Sequence, residues 1–171
     1  MSGLRASGAR EYLENLTWLT MYFQAIVMLG SNDYPAFYRG DVEKLALQTF
    51  QHLVDVVRFM KQNVVGLTYI VLPPPRPCSH TWPKYHLFLR SLDALLRERQ
   101  SQEAFVYLGF SPLLFEVDFK PKKGVLFKKA DGEMDIHLST SGYLLFSRWL
   151  SDVFSHGKNK PSSTKRRLKQ K

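Results

Sequence analysis

The chain has 171 residues and a formal net charge of +9 at pH 7, and 44% of its residues are apolar. This length and composition predict one folded domain with a genuine core. Cys78 is the only cysteine. An intramolecular disulfide and a zinc site built on several thiolates are therefore excluded.

The positive charge is concentrated at the C-terminus. Residues 158–171 hold seven Lys and Arg and no acid, which leaves a formal +2 for residues 1–157. We predict a folded domain over 1–157 and a disordered basic tail over 158–171, which either binds nucleic acid nonspecifically or acts as a nuclear import signal. No apolar run has the roughly 20 residues of a membrane span, and the N-terminus lacks the apolar core of a signal peptide. We therefore expect an intracellular, cytoplasmic protein without membrane contact, with the nucleus as the alternative.

The hydrophobic pattern predicts alternating helices and strands. In chain order these are a helix over 9–21, a strand over 25–29, a helix over 42–62, a strand over 66–72, a helix over 83–99, a strand over 103–110 and a helix from about Ser139. Asp41 is the predicted N-cap of the second helix, and the Lys-rich stretch before the last helix is predicted as a loop. Alternation at this spacing implies right-handed crossovers, so we predict an α/β fold, a three-layer α/β/α sandwich around a parallel sheet.

The first predicted strand ends in the polar tetrapeptide Gly30-Ser31-Asn32-Asp33. In open parallel sheets, ligands bind beyond the carboxyl ends of the strands. The tetrapeptide is therefore predicted to lie at the functional edge of the sheet.

Three stretches resemble conserved blocks of the SGNH (GDSL-type) hydrolases. "GLRASGAREYL" is similar to the second block, "VMLGSND" to the third and "DIHLSTSGY" to the fifth, in the order of that family. The resemblance covers residues 3–154 and implies the α/β/α fold of the family. It also implies that Asn32 matches the asparagine that holds the oxyanion and that His137 matches the general base.

Other catalytic positions depart from the family pattern. The serine nucleophile belongs to a first block that would precede Met1, so the sheet is predicted to lack its first strand unless another segment replaces it. The oxyanion glycine of the second block aligns with Arg5, with Gly3 close by. Met134 stands where the family has the aspartate that orients the histidine, and Asp135 follows one residue later. The resemblance thus implies a catalytically defective module; the alternatives are an active serine esterase whose nucleophile lies upstream and a protein-interaction scaffold.

Lysines and aromatic side chains interleave after the third predicted strand. Such mixtures suit single-stranded nucleic acid, although a solvated loop that keeps the protein soluble is the simpler interpretation. Phe119 and Phe127 are the aromatic members. The predicted RNA-binding residues are Lys120, Lys122, Lys123, Lys128, Lys129, Arg5 and Arg10, with Lys165, Arg166 and Arg167 of the tail. Arg39 and Arg76, also near predicted strand ends, extend this set.

Loss of catalytic residues with gain of positive charge is similar to the OSK domain of Oskar, which binds RNA, and to the esterase-like domains of retroelements. RNA is therefore the expected partner, and a protein partner is the alternative.

Simpler interpretations exist for each candidate side chain. Asn32 is also a typical turn residue, His137 suits a local hydrogen bond before a helix, and Ser139 suits an N-cap better than a nucleophile. Ser31 is a weak candidate for a substitute nucleophile. Glu133, Asp135 and His137 alternate like metal ligands, but loop charge explains them better, so we expect no metal and no cofactor.

Overall fold

The computed structural model describes residues 5–15, 24–63, 66–77, 79, 81–103, 105–130, 132 and 134–157. The elements in chain order are α1 (Ala6–Glu14), β1 (Gln24–Val27), a 3-10 turn (Ser31–Asp33), α2 (Val42–Asn63), β2 (Leu67–Ile70), α3 (Tyr85–Glu103), β3 (Val106–Tyr107), β4 (Leu126–Lys128), β5 (Met134–Leu138) and α4 (Thr140–Gly157). Each predicted helix and strand has a counterpart here, although β3 is much shorter than predicted and α1 begins earlier. The predicted tail lies outside the described residues, and the division at residue 157 stays a prediction.

Three strands form a parallel sheet in the order β1-β2-β3. Val27 of β1 pairs with Ile70 of β2, and Ile70 pairs with Tyr107 of β3. The predicted α/β class with a parallel sheet is thereby confirmed. Within the described residues β1 pairs only with β2, and Ile26 in β1 is 46% exposed. Whether a further strand covers that edge stays a prediction.

Helices cover both faces of this sheet. The apolar stripes of α2 and α3 share one core cluster with Ile70, and the spacing of three or four residues between their buried positions explains why these segments are helical. Neighbouring strand residues point to opposite faces. Tyr69 therefore faces away from Ile70, and its ring contacts Phe154 of α4 at a centroid distance of 5.1 Å. The helices thus lie in two layers around the sheet.

A second, antiparallel sheet was missed by the sequence analysis. Strands β4 and β5 form a hairpin in which Leu126 pairs with Leu138 and Lys128 with Met134, with a register irregularity between Leu126 and Lys128. The predicted loop over this region is therefore wrong. Residues Met134–Leu138 of β5 alternate apolar and polar side chains, a strand signal that was overlooked, whereas the three residues of β4 are too few to show a pattern.

The start of α4 is fastened to this hairpin. Ser139 Oγ accepts a hydrogen bond from the Gly142 amide at 3.0 Å and donates one to the Gly124 carbonyl at 2.7 Å. The predicted N-cap role of Ser139 is confirmed, as is that of Asp41, whose carboxylate accepts from the amides of Glu43 and Lys44. Gly142 is buried against the Val125 carbonyl, where a Cβ atom would clash with backbone.

We expect Gly142→Ala to destabilise the fold by about 1–3 kcal/mol, because the new methyl group must displace α4 from the hairpin. The free energy of unfolding in urea measures this. Ser141→Ala is the matched control, since Ser141 is an exposed neighbour in the same helix turn. Equal unfolding free energies for the two variants would contradict the close approach as the reason for glycine.

Candidate functional site

The polar segments that follow β1 and β2 meet at one edge of the sheet. Because β1 and β2 are parallel neighbours, their carboxyl ends lie side by side. Arg76, after β2, donates from Nη2 to Asn32 Oδ1 at 2.8 Å and from Nε to Ser31 Oγ at 3.1 Å. The tetrapeptide therefore lies at the carboxyl edge of the sheet, where it was predicted.

Gly30 allows the chain to turn sharply out of β1. Its φ of +107° lies in the left-handed region that L side chains rarely adopt. A Cβ atom here would also lie 3.0 Å from Thr49 Cγ2 and 3.3 Å from Pro73 Cγ. Both conformation and space thus favour glycine, and the turn directs the next three side chains into the edge.

Asp33 brings α1 to the same edge. Its buried carboxylate accepts from the Ala6 amide at 2.8 Å, and its other oxygen lies 3.9 Å from His52 Nδ1. An acceptor at a helix N-terminus satisfies an amide that lacks an intrahelical partner and complements the helix dipole. The stretch that resembles the second block is thus in direct contact with the stretch that resembles the third. The alignment of Arg5 with an oxyanion donor stays a prediction.

The contact with Arg76 sets the orientation of the Asn32 side chain. A guanidinium group has only donors, so the Asn32 atom at 2.8 Å from it must be the carbonyl oxygen. The amide nitrogen Nδ2 therefore forms the opposite end of the group. This is the end that an oxyanion donor must present.

Arg76 itself is held in an aromatic and proline-rich setting. Its guanidinium carbon lies 4.1 Å from the ring centroid of Trp82 and 5.3 Å from that of Tyr85, and the residue is 4% exposed. Burial lowers the pKa of Arg76, and the burial of Tyr85 raises the pKa of its phenol to about 12. Arg76 lies near a strand end, as predicted, but its burial removes it from the basic surface that it was predicted to extend. An arginine within Pro73-Pro74-Pro75-Arg76-Pro77 is the signal that was overlooked.

His137 has a carboxylate partner. Its Nδ1 lies 2.7 Å from Asp135 Oδ1, and its backbone amide donates to the same oxygen at 3.2 Å. The two residues are two apart in β5, so their side chains leave the strand on the same face. Met134, at the family's aspartate position, is therefore replaced in this contact by Asp135. The His137 ring is 71% exposed and open to solvent.

The pKa of Asp135 is held below its usual value. Partial burial acts to raise it, but the hydrogen bonds from the His137 side chain and from the amides of His137 and Ile136 together lower it by more. Asp135 is therefore ionised at neutral pH, as a group that orients an imidazole must be.

The structure places Asn32 after β1 and His137 in β5, and it gives each its own partner. Asn32 bonds Arg76, whereas His137 bonds Asp135. Among the described side chains, no serine, threonine or tyrosine hydroxyl bonds the His137 ring. Ser31, the weak candidate nucleophile, bonds Arg76 instead. Convergence of Asn32 and His137 in one site stays a prediction.

Several of the predicted RNA-binding side chains are engaged within the protein. Lys120 pairs with Asp118, Lys122 Nζ donates to the Pro112 carbonyl at 2.6 Å, and Arg10 Nε pairs with Glu14 at 2.8 Å. The ion pairs are exposed and add little to stability, but they compete with a phosphate for each cation. Lys165, Arg166 and Arg167 lie outside the described residues.

The two interleaved aromatic residues differ in accessibility. Phe119 is 8% exposed and packs against Phe110 at a centroid distance of 4.9 Å, whereas Phe127 is 52% exposed. Phe119 is thus part of the core and not open to a nucleic-acid base, so of the two predicted aromatic members only Phe127 has an exposed ring. The exposed members of the predicted set are Phe127, Lys122, Lys123, Lys128, Lys129, Arg5, Arg10 and Arg39.

The described residues contain neither a metal-binding cluster nor a membrane-spanning helix. No group of three or more His, Cys, Asp or Glu side chains there is arranged to hold a metal ion. Glu133, one of the three alternating residues, lies outside that part of the chain. No helix among the described residues is both long enough and apolar enough to cross a bilayer.

Solved structures with the same fold are hydrolase-like proteins. A proposed lipolytic protein of the G-D-S-L family from Desulfitobacterium hafniense DCB-2 superposes with a TM-score of 0.63 at 16% identity, over 88% of this chain and 75% of that one. A proposed acylhydrolase from Bacteroides fragilis NCTC 9343 superposes with a TM-score of 0.58 at 15% identity, over 89% of this chain and 68% of that one. No family model and no curated protein matches the sequence. The chain has an SGNH/GDSL-type fold, as the resemblance implied.

We expect the Asp135 carboxyl group to titrate below 3.8, the value for an isolated aspartate. Its depressed pKa means that the interaction stabilises the fold above the unfolded-state pKa and is lost as pH falls through the folded-state pKa. Carbon-13 NMR of the carboxyl group measures the midpoint. In His137→Ala the midpoint should move toward 3.8, whereas in His86→Ala it should not. An unchanged midpoint in His137→Ala would contradict the contact.

Proposed function

We propose that this chain is an SGNH-type hydrolase module acting on acyl esters, with His137 as the general base and Asn32 as an oxyanion donor. The contact of 2.7 Å between His137 Nδ1 and Asp135 Oδ1 is the observation that carries the proposal. The fold that the chain shares with a lipolytic protein and an acylhydrolase supports it.

The chemistry follows from the roles of these groups. Asp135 accepts the Nδ1 proton, which leaves Nε2 of His137 to remove a proton from an attacking oxygen. Asn32 Nδ2 donates to the carbonyl oxygen as negative charge develops on it. The attacking oxygen is either a hydroxyl from outside the described residues or a water molecule, because the described hydroxyls do not contact the imidazole.

A catalytically defective module is the competing function, and it rests on the serine block missing from the resemblance. The contact between Asp135 and His137 weakens this alternative, because Asp135 can orient the imidazole and Met134 cannot. The two functions differ in a single measurable property, turnover of an ester.

We expect the protein to hydrolyse p-nitrophenyl acetate, with kcat/KM falling about 10²- to 10⁴-fold in His137→Ala because the general base is removed. Asn32→Ala should cost about 10²- to 10³-fold through removal of the oxyanion donor. His86→Ala is the control and should match the parent protein. Absence of turnover above buffer, or equal rates in the two histidine variants, would end the hydrolase proposal and favour the defective module.

RNA binding is the second candidate, and the exposed ring of Phe127 favours it. We define the hairpin surface as Phe127, Lys123, Lys128 and Lys129, of which the three lysines have no ion-pair partner among the described carboxylates. A base stacked on an aromatic ring contributes about 1–3 kcal/mol, and lysines release counterions from the phosphates. The hairpin surface offers both interactions, with the tail as a further nonspecific contact.

We expect an oligouridine to bind with an affinity that falls steeply with salt. Reversing Lys123, Lys128 and Lys129 to Glu should reduce the slope of log K against log salt by about 0.7 for each phosphate that the protein no longer neutralises. Reversal of the exposed Lys44 and Lys61 of α2 is the charge-reversal control. Affinity that survives the hairpin changes but disappears when residues 158–171 are removed would assign binding to the tail. Affinity for no RNA at all would leave a protein-interaction scaffold as the third function.

A further inference from the structure

Arg76 is buried, and burial of its positive charge carries a desolvation cost. Its guanidinium is buried, and its hydrogen-bond acceptors are the neutral atoms Ser31 Oγ and Asn32 Oδ1. No carboxylate in the described part of the chain lies within ion-pair distance of it. The ring contacts with Trp82 and Tyr85 offset part of the desolvation cost, but a buried charge without an anion is seldom favoured over an apolar side chain.

Tyr85 does not neutralise this charge. Its pKa of about 12 keeps the phenol protonated at neutral pH, and its hydroxyl donates to the Pro74 carbonyl at 3.0 Å. The buried carboxylate of Asp33 at the same edge offsets part of this charge, but Arg76 is the charged group that is hydrogen-bonded to Asn32 and acts on it most directly. A site of this kind favours a ligand group that is, or becomes, negative.

The backbone around Arg76 restricts its motion. Three prolines precede it and Pro77 follows, and each proline fixes its own φ while the residue before a proline is held near extended geometry. The guanidinium is then clamped between the rings and the two acceptors. A rigid donor of this kind can hold a neighbouring amide in one orientation.

We propose that Arg76 is a positioning residue for the oxyanion donor: it binds Oδ1 of Asn32 so that Nδ2 is presented to the substrate, and its charge polarises that amide. The inference rests on the proposed hydrolase function and extends it to a residue outside the three resembling blocks. Through Asn32, Arg76 stabilises the negative charge of the transition state and contributes little to binding of the neutral ester.

The kinetic test compares variants of the full-length protein on p-nitrophenyl acetate. Arg76→Met keeps much of the side-chain volume and should lower kcat about 10- to 100-fold with KM nearly unchanged, a part of the effect of removing an oxyanion donor. Arg76→Lys retains the charge and should recover part of the rate. In an Asn32→Ala background, Arg76→Met should cost no more than a further factor of about two, since its effect runs through Asn32. Equal reductions with and without Asn32 would assign Arg76 a structural role and overturn the proposal.

Arg97→Met is the matched control. Arg97 also lies over an aromatic ring, at 5.6 Å from the centroid of Tyr107, and also donates to a side chain, at 2.9 Å to Asp93. It should leave kcat unchanged. A reduction equal to that of Arg76→Met would mean that any stacked arginine matters through stability alone, and would overturn the proposal.

A second readout separates this inference from the hydrolase function. In a ¹H–¹⁵N spectrum, the Asn32 side-chain amide signals, assigned by their absence in Asn32→Ala, should shift in Arg76→Met and less in Arg76→Lys, while Arg97→Met leaves them in place. Signals that do not move in Arg76→Met, in a variant whose backbone spectrum shows a folded protein, would overturn the positioning role. A parent protein without turnover whose Asn32 signals do respond would instead refute the hydrolase proposal and retain the role of Arg76 in orienting Asn32.

Discussion

The fork of hydrogen bonds from Arg76 to Ser31 and Asn32 is the interaction on which the site depends. It joins the segment after β2 to the segment after β1, so the parallel pairing of those strands is converted into a fixed arrangement of side chains. Gly30 makes the turn that brings Ser31 and Asn32 within reach of Arg76, and the Asp33 carboxylate binds the N-terminus of α1 at the same edge. Each residue of the tetrapeptide therefore has a distinct physical task.

The secondary structure was predictable where the pattern of apolar residues was long. Helices α2 and α3 bury a stripe over 22 and 19 residues, and β1 and β2 are apolar segments with clear ends, so periodicity and capping residues located them. In the hairpin, β5 carries an alternating pattern that was overlooked, but its partner β4 has three residues and an irregular register and leaves no pattern in the sequence. The length of an element's apolar pattern, more than its composition, decided whether the element could be predicted from the sequence.

The site was only partly predictable, since its key contacts join residues far apart in sequence. Asn32 and His137 could be proposed from short motifs, but Arg76 lies 44 residues from Asn32, and only the fold shows that they touch. Asp135 illustrates the opposite case. Residues two apart on a strand lie on the same face. Recognition of β5 as a strand would therefore have predicted the contact of Asp135 with His137. Phe119, buried in a turn with a φ of 66°, shows that an aromatic residue among lysines need not face solvent.

The glycine at position 142 has a consequence for how this protein can change over time. Because the first turn of α4 rests directly on the backbone beside Val125, and Ser139 bonds both the helix and the hairpin, the helix and the strand that carries His137 behave as a single mechanical part. A larger side chain there would push the first turn of α4 away from the hairpin and strain the short connection to His137. Substitutions on the outer surface of α4 therefore leave the position of His137 unchanged, whereas a substitution at Gly142 does not.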